Sequence, residues 1–266
     1  MVTGNDVLSY LNTYAPLSYQ MEFDNSGFLV GDRKAEIRRV LVALDITDPV
    51  ISEAEAIGAQ LIVSHHPLIF HPLSAVCTED VTGRKVMRLV RSGISAICMH
   101  TNLDIAEGGV NDTLMEVLDA QTTDILEPAG AGEDGKPLGC GRIGFLKQEM
   151  PLDSFLQFVA QRLCVNGVRY VSGGRPVHHI AVCGGSGGSM LELAASAGCD
   201  TLLTADVKYD RFLTAKELGV NLIDADHFCT ENVVIPKLAE MIQLQFPEVQ
   251  VTIANHKQTV CFYAAQ

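Results

Sequence analysis

Five side chains that can bind metal ions are concentrated in three short segments of the 266-residue sequence. They are His65 and His66 in Ser64-His65-His66-Pro67, Asp104 in His100-Thr101-Asn102-Leu103-Asp104, and His227 and Glu231 in Asp226-His227-Phe228-Cys229-Thr230-Glu231. Three imidazoles and two carboxylates form a mixed nitrogen and oxygen ligand set that suits a pair of divalent metals. Because paired metals commonly catalyse hydrolysis, these segments predict a hydrolytic centre.

The ligand types also narrow the choice of metal. Imidazole nitrogen and carboxylate oxygen suit Zn, Fe and Mn, whereas a site with three imidazoles is soft for Mg. The sequence therefore predicts two divalent metal ions for each chain, of the Zn, Fe or Mn type.

His65 and His66 are adjacent, and adjacent side chains of a regular strand point to opposite faces of the sheet. They can join one cluster only if the chain leaves strand geometry there. Pro67 favours this, because it keeps the preceding residue extended at a strand end or in a loop. The alternative is a pair of exposed or supporting histidines.

His100 and Asp104 are four residues apart, in a segment that we expect to be a loop rather than a helix. Asp104 is the better ligand, although aspartate also serves in turns and helix caps. His100 is the candidate catalytic residue, either transferring protons or donating a hydrogen bond to a ligand. His71, which Pro72 follows, is expected at the surface.

His227 and Glu231 are also four residues apart, and the apolar residues that follow them predict a helix from about Thr230. Glu231 then lies in the first turn with His227 just before it, so both side chains can face one point. Alternatively, Glu231 only stabilises the helix N-terminus through the macrodipole. We expect Cys229 to be a bystander, and Asp226 to be a further polar neighbour or a turn residue.

Short apolar runs alternate with amphipathic helical patterns along the chain, which predicts an α/β fold with mostly parallel or mixed sheets. The predicted strands are Arg39–Leu44, Leu61–Val63, Ile94–Met99, Arg142–Leu146, Ile180–Cys183, Thr201–Thr204, Asn221–Ile223 and Val249–Ile253. The predicted helices are Asp48–Ala59, Gly83–Ser92, Asn111–Leu118, Leu152–Leu163, Ser189–Ala197, Arg211–Leu218 and Asn232–Phe246. All three candidate segments follow a predicted strand, and α/β sheets bind ligands beyond the carboxyl ends of their strands.

The segment Glu127–Pro137 interrupts this alternation, because it lacks periodic apolar residues and contains several residue types that punctuate turns. It predicts a long loop or a domain boundary. We accordingly expect an N-terminal α/β domain over residues 1–126 and a C-terminal α/β domain over residues 127–266. We allow for the C-terminal helix and strand packing back on the first domain.

A glycine-rich segment, Cys183-Gly184-Gly185-Ser186-Gly187-Gly188-Ser189, follows one predicted strand and precedes a predicted helix. Its backbone N–H groups could hold an anion at the helix N-terminus. It matches neither the dinucleotide fingerprint nor a P-loop, so tight packing of strand against helix is the favoured interpretation. The spacing within Asp24–Gly31 indicates no function by itself.

Composition and charge argue against a general nucleic-acid-binding protein and against a membrane protein. Lys and Arg number 19 against 32 Asp and Glu, a formal net charge of -13, so we expect no general attraction to nucleic acid or to an anionic membrane. The eight cysteines include no C-x-x-C pair, and no apolar run reaches the roughly 18 residues of a membrane span. Because the N-terminus shows no basic and apolar leader, we expect a reduced, cytoplasmic protein.

Five motifs, taken in order, carry a resemblance to a known family. They are Asp24-Asn25-x-Gly27-x-x-x-Gly31, Ser64-His65-His66-Pro67-Leu68-Ile69-Phe70, His100-Thr101-Asn102-Leu103-Asp104, Cys183-Gly184-Gly185-Ser186-Gly187 and His227-x-x-x-Glu231. Together they resemble the GTP cyclohydrolase I type 2 homologues, dinuclear-metal proteins that include the bacterial YbgI proteins. The resemblance extends from Asp24 to Glu231, and the order and spacing of the motifs make it highly specific.

The resemblance implies a two-domain α/β subunit with a pair of metals at the domain interface, assembled as a homohexamer whose sites face an internal cavity. The family's ligand positions carry over onto His65, His66, Asp104, His227 and Glu231, each of the expected residue type. The chain departs from the family pattern at Asp226, where Gly is common, and at Ala205 and Asp210, where many relatives have Gly and His. The second departure puts in doubt any proton-transfer role at that strand end.

The leading functional hypothesis is a metal-dependent hydrolase of a small molecule, most specifically a purine nucleotide such as GTP, with metal-bound hydroxide attacking a carbon of its imidazole ring. A phosphoesterase with the same metals is the first alternative, although no Arg cluster accompanies the motifs and only Lys208 or Arg211 could be close. The second alternative is a non-enzymatic metal-binding or interaction protein, whose metals would keep no open position for substrate.

Overall fold

The computed structural model describes residues 1–132 and 135–255. Cys261 and two residues of the predicted loop, Glu133 and Asp134, lie outside the described residues. The described chain divides into two compact units. Unit 1 comprises Met1–Ala106 and residues 235–255, and unit 2 comprises residues 107–132 and 135–234.

Helices and strands alternate along most of the chain. Its first part contains α1 (Gly4–Tyr14), β1 (Gly27–Val30), β2 (Arg39–Ala43), α2 (Asp48–Ile57), β3 (Leu61–Ser64), α3 (Val81–Arg91), β4 (Ser95–Cys98) and α4 (Thr101–Ile105). Unit 2 follows with α5 (Val110–Val117), β5 (Ala120–Ala131), β6 (Pro137–Met150), α6 (Leu152–Leu163), β7 (Arg169–Val171), β8 (Val177–Val182), α7 (Leu191–Ser196), β9 (Thr201–Thr204), α8 (Tyr209–Leu218), β10 (Asn221–Asp224) and α9 (His227–Glu231). The last described elements are α10 (Val234–Gln245) and β11 (Gln250–Ile253).

The sheet of unit 1 has the strand order β1-β4-β3-β2-β11. Strands β4, β3, β2 and β11 are parallel to their neighbours, while β1 runs antiparallel to β4. Strand β3 is buried along its whole length, as expected for a parallel strand covered on both faces. The ends of α2 are set locally, since Thr47 caps its N-terminus and Gly58 ends it at a φ of 65°.

The sheet of unit 2 has the order β5-β6-β8-β9-β10-β7. Strands β8, β9 and β10 are parallel, and the outer strands pair antiparallel. Phe155 of α6 is fully buried in the apolar core of this unit, together with Ile180 of β8 and Leu203 of β9. The two mixed α/β sheets confirm the predicted fold class.

The Gly- and Pro-rich segment at residues 127–137 lies inside unit 2 and does not separate the units. Strand β5 runs through Glu127 to Ala131, and its last residue pairs with Pro137 of β6. The punctuating residues therefore serve the turn of an antiparallel hairpin. The division between the units falls after Ala106 instead of at 126/127, and β11 pairs with β2 of unit 1.

Across residues 1–132 and 135–255, no helix combines the length and the apolar character needed to cross a bilayer.

Candidate metal centre

Unit 1 gathers polar side chains at one edge of its sheet. Because β2, β3 and β4 are neighbouring parallel strands, Asp45, His65 and His100 each follow a carboxyl end at the same edge. Strand β1 is antiparallel to β4, which brings Asp24, just before β1, to that edge as well. The topology thus places residues that are far apart in sequence beside one another.

Three histidines of unit 1 form a compact cluster. The ring centroids of His65 and His66 are 5.0 Å apart, and the His100 centroid lies 5.3 Å from the first and 5.6 Å from the second. One nitrogen atom of each ring lies within 4.8 Å of the others, so the three could hold a metal ion. His65 is fully buried, and the other two are partly buried.

A hydrogen bond at Nδ1 orients each of these rings. The three bonds, 2.6 to 2.7 Å long, join His65 to the Met99 carbonyl oxygen, His66 to Asp45 Oδ1, and His100 to Asp24 Oδ1. Carbonyl and carboxylate oxygens accept hydrogen bonds, so the proton of each ring lies on Nδ1, and Nε2 is the nitrogen that could coordinate a metal. Histidine ligands of metals are held in this way.

Asp104 lies on the short helix α4, so the expectation of a loop there is wrong. The His100 carbonyl oxygen accepts the backbone N–H of Asp104 at 3.2 Å and starts the helix. Asn102, whose presence favoured a loop, instead donates its side-chain amide to the Ala15 carbonyl at 2.7 Å and leaves the helix intact. As a result, the nearly buried Asp104 places Oδ1 3.7 Å from His65 Nε2.

Asp24 accepts several hydrogen bonds at this edge, and its side chain is fully buried. Besides His100, it accepts the backbone N–H and the hydroxyl of Thr101 at 3.0 and 2.5 Å. Burial opposes its ionisation, but the hydrogen bonds from His100 and Thr101 outweigh burial and hold the pKa of Asp24 well below its usual range. Asp24 is therefore a fixed anion that keeps His100 in one orientation.

Unit 2 repeats the same arrangement at its own sheet edge. Strands β8, β9 and β10 are parallel neighbours. The glycine-rich segment follows β8, Asp206 follows β9, and His227 follows β10. Three segments distant in sequence therefore meet beyond the carboxyl ends of adjacent strands.

His227 and Glu231 lie one turn apart on helix α9, which begins earlier than the predicted Thr230. His227 Nε2 is 3.0 Å from Glu231 Oε2, and Glu231 is only 4% exposed. Asp226 caps this helix, since its Oδ1 accepts the backbone N–H of Cys229 at 3.1 Å. The capping role considered for Glu231 thus belongs to Asp226, while Cys229 lies in the apolar core of unit 2.

A second carboxylate also bonds His227. Asp206 Oδ2 lies 2.6 Å from His227 Nδ1, on the side of the ring opposite Glu231. Burial disfavours the charged ring, but Glu231 and then Asp206 outweigh burial and raise the pKa of His227 to about 9. A histidine between two carboxylates is an arrangement with surplus negative charge, which a cation would neutralise.

The glycine-rich segment packs tightly against this pair. The backbone N–H groups of its glycines donate to side-chain oxygens of unit 2, Gly184 to Asn111 at 2.9 Å, Gly185 to Thr230 at 3.0 Å and Gly187 to Thr204 at 2.8 Å. These donors already serve the fold, which favours the packing interpretation over an anion cradle. A Cβ at residue 185 would lie 2.1 Å from Glu231 Oε1 and 3.1 Å from His227 Nε2.

The distance between the imidazole nitrogen and the carboxylate oxygen indicates whether one metal ion could bind both atoms. Two ligand atoms about 2.0 to 2.1 Å from one tetrahedral metal are about 3.3 Å apart. The two imidazole–carboxylate pairs, at 3.7 Å in unit 1 and 3.0 Å in unit 2, lie on either side of that value. The donor set of each unit therefore fits a divalent metal. His71, which is not part of either set, is exposed as expected.

Sequence reasoning missed the three aspartates that orient the histidines, Asp24, Asp45 and Asp206. Asp45 and Asp206 follow a strand, and Asp24 precedes one, that neighbours the strand before the histidine, and only the strand order reveals that proximity. For Asp45 and Asp206, an aspartate just beyond a buried apolar run was the available signal. It is weak, because aspartate is common in turns.

The sequence of the chain is similar to those of a known protein family. The sequence profile of the Duf34/NIF3 (NGG1p interacting factor 3) family matches residues 2–259. A Clostridium perfringens protein named GTP cyclohydrolase 1 type 2 homolog is 35% identical over 240 residues, 90% of both chains. A Streptomyces coelicolor protein of the same name is 33% identical over 233 residues, 85% of this chain and 81% of that one.

The fold of the chain is also similar to that of a solved structure related to this family. The crystal structure of a Bacillus cereus protein related to NIF3 has a TM-score of 0.92 and 25% sequence identity, covering 99% of each chain. With a family profile and relatives above 30% identity that each cover most of its length, the chain belongs to the Duf34/NIF3 family, whose curated bacterial relatives carry the name GTP cyclohydrolase 1 type 2 homolog.

Proposed function

We propose that the protein is a hydrolase that uses two divalent metal ions of the Zn, Fe or Mn type. His65, His66 and Asp104 of unit 1 and His227 and Glu231 of unit 2 are the proposed ligands. The observation that carries this proposal is the arrangement common to both units, in which an imidazole anchored through Nδ1 presents Nε2 beside a carboxylate oxygen. Five such donors meet the needs of two metals that retain open positions for water and substrate.

The bound metals would supply a water of lowered pKa and stabilisation of developing negative charge. His100 is the proposed catalytic residue, and Asp24 is its positioning residue. Because the Asp24 carboxylate accepts the His100 Nδ1 proton, Nε2 of His100 is the nitrogen that takes up and returns protons. The anchored ring keeps this nitrogen in the histidine cluster, where a reacting molecule would meet it.

A purine nucleotide such as GTP is the proposed substrate, and the name of the relatives supports this choice. The phosphoesterase alternative gains no comparable support. Arg211, one of its two candidate phosphate ligands, instead donates to the Gly188 carbonyl oxygen at 3.0 Å and pairs with Glu192. The glycine-rich segment, as noted, already uses three of its N–H groups.

Incubation of the Zn-, Fe- or Mn-loaded protein with GTP, with formate and pterin products followed together, tests this function. We expect metal-dependent turnover that His100→Ala abolishes and that His71→Ala, an exposed histidine nearby in sequence, retains. Turnover no greater than that of the His100→Ala protein would refute the GTP claim. Two tightly held metal ions with no hydrolysis of nucleotides or phosphoesters would favour the non-enzymatic alternative.

We further propose that the subunit assembles into a homohexamer, as the family resemblance implies. Light scattering on the purified protein should then give a molar mass six times the 28.7 kDa of one chain. A monomer or dimer at micromolar concentration would refute this assembly.

A further inference from the structure

A row of aromatic rings in unit 1 leads from His100 toward solvent. The phenyl ring of Phe70 lies edge-on to the imidazole of His100, with centroids 5.9 Å apart and an interplanar angle of 83°. Phe23 in turn contacts Phe70, with ring centroids 6.3 Å apart and an interplanar angle of 62°. Phe23 is 62% exposed, although a large apolar side chain gains from burial.

The chain directly after Phe23 is held in place, so the exposed ring does not belong to a loose loop. Asn25 donates its side-chain amide to the Ile69 carbonyl oxygen at 2.6 Å, which ties the Phe23 segment to the Phe70 segment. Asp24 bonds His100 at 2.6 Å. The Asp24-Asn25 motif, which indicated no function by spacing alone, thus fixes two phenyl rings relative to the histidine cluster.

We infer that Phe23 and Phe70 form a stacking face for the planar heterocyclic ring of the molecule that reacts at this histidine cluster. This inference rests on the proposed function, and it names the residues that would recognise the substrate's ring. Stacking tolerates any aromatic ring and needs no positive charge. Glu22, beside Phe23, is exposed and acidic, so this face favours a ring over a phosphate.

The test uses the full-length, Zn-loaded protein and 2-aminopurine riboside, a fluorescent purine nucleoside that carries no phosphate. Stacking quenches its fluorescence, so titration gives a Kd. We expect Phe23→Leu and Phe70→Leu to weaken binding roughly five- to a hundredfold, the range that one aromatic stack on a base contributes. Phe23→Tyr, which keeps a ring, should bind like the unaltered protein.

Tyr209→Leu is the matched control, because Tyr209 is an exposed aromatic residue of unit 2 with 76% exposure. Its replacement should leave the Kd unchanged, and all variants should keep their zinc content. Undetectable binding of the nucleoside by the unaltered protein, or equal Kd values for Phe23→Leu, Phe70→Leu and the unaltered protein, would overturn the inference. So would a change of oligomeric state in Phe23→Leu without a change in Kd, which would show a subunit contact.

The failure of this inference can be distinguished from the failure of the proposed function. Phe23-dependent nucleoside binding without GTP turnover would leave the stacking face in place and refute the GTP activity. GTP turnover with an unaltered KM in Phe23→Leu would support the GTP activity and overturn the stacking face.

Discussion

Gly185 leaves the space that the Glu231 carboxylate occupies. A Cβ at residue 185 would lie 2.1 Å from Glu231 Oε1, a distance that no real side chain tolerates, and 3.1 Å from His227 Nε2. The backbone of Gly185 also has a φ of 63° and donates to Thr230 at 3.0 Å, so it cannot easily move away. The glycine-rich segment therefore shapes the proposed metal-binding pair of unit 2 directly.

Gly185→Ala should displace the Glu231 carboxylate and lower the number of tightly bound metal ions. Gly174→Ala is a suitable control, because Gly174 has a φ of 80° and a Cβ there would meet no atom within 4 Å. Both substitutions place a side chain at a left-handed backbone position, which costs about 1 to 2 kcal/mol, but only Gly185→Ala crowds the ligands. Metal content after dialysis and thermal unfolding of the metal-free proteins would be measured. Equal metal content in the two variants would contradict this account of Gly185.

Asp206→Asn should weaken metal binding by roughly tenfold. Carboxylates that orient a ligand histidine typically contribute 10- to 100-fold to metal affinity, and we expect the lower end because the Asp206 side chain is 56% exposed. Competition with a chromophoric zinc chelator would give the affinity. Asp210→Asn, an exposed carboxylate nearby in sequence, should change nothing, and equal affinities in the two variants would show that Asp206 does not support His227.

Asp24→Asn should destabilise the metal-free protein in a pH-dependent way. The pKa of Asp24 is lower in the folded than in the unfolded protein, so its stabilisation is present above the unfolded pKa of about 3.9 and is lost as the pH falls below it. Near pH 7 the free energy of unfolding should drop by about 1 to 3 kcal/mol, because buried hydrogen-bond donors lose a charged acceptor.

Urea unfolding of the chelator-treated protein at pH 7, 5 and 3 would measure this effect. The difference between the unaltered protein and Asp24→Asn should be nearly the same at pH 7 and 5 and smaller at pH 3, whereas Glu22→Gln, an exposed neighbour, should differ little from the unaltered protein at any pH. A difference that is as large at pH 3 as at pH 7 would show that the Asp24 charge does not carry the stabilisation.

The parallel strands were the most predictable part of the fold. Leu61 to Ser64 of β3 and Thr201 to Thr204 of β9 are buried on both faces, and such strands appear in the sequence as short continuous apolar runs. The position of His65 directly after such a run then predicts a place at the edge of the sheet. For the same reason, the candidate segments could be located before their geometry was known.

The remaining features depend on information that local patterns lack. Strand β5 is exposed at most positions, so the Ala120 to Ala131 run shows no alternation of apolar residues that would predict a strand. The role of Asp45 requires the knowledge that β2 lies beside β3, and that of Asp24 requires the antiparallel pairing of β1 with β4. Such pairings arise from packing of the whole sheet, and single segments do not encode them.

Metal analysis of variants of α9 tests the central claim most directly, namely that His65, His66, Asp104, His227 and Glu231 together hold two metal ions. The unaltered protein should contain about two equivalents of Zn, Fe or Mn per chain, as a two-metal centre requires. His227→Ala and Glu231→Ala should each lower this stoichiometry and the thermal stability of the metal-loaded protein, because metal bound only to the folded state stabilises it.

His71→Ala and Cys229→Ser serve as controls, since His71 is exposed and Cys229 lies in the apolar core. Elemental analysis of all four variants alongside the unaltered protein is the decisive measurement. We predict reduced metal content in His227→Ala and Glu231→Ala and about two equivalents of metal in both controls, as a two-metal centre requires. Full retention of both metals by His227→Ala, with an unaltered melting temperature, would contradict the proposed ligand set.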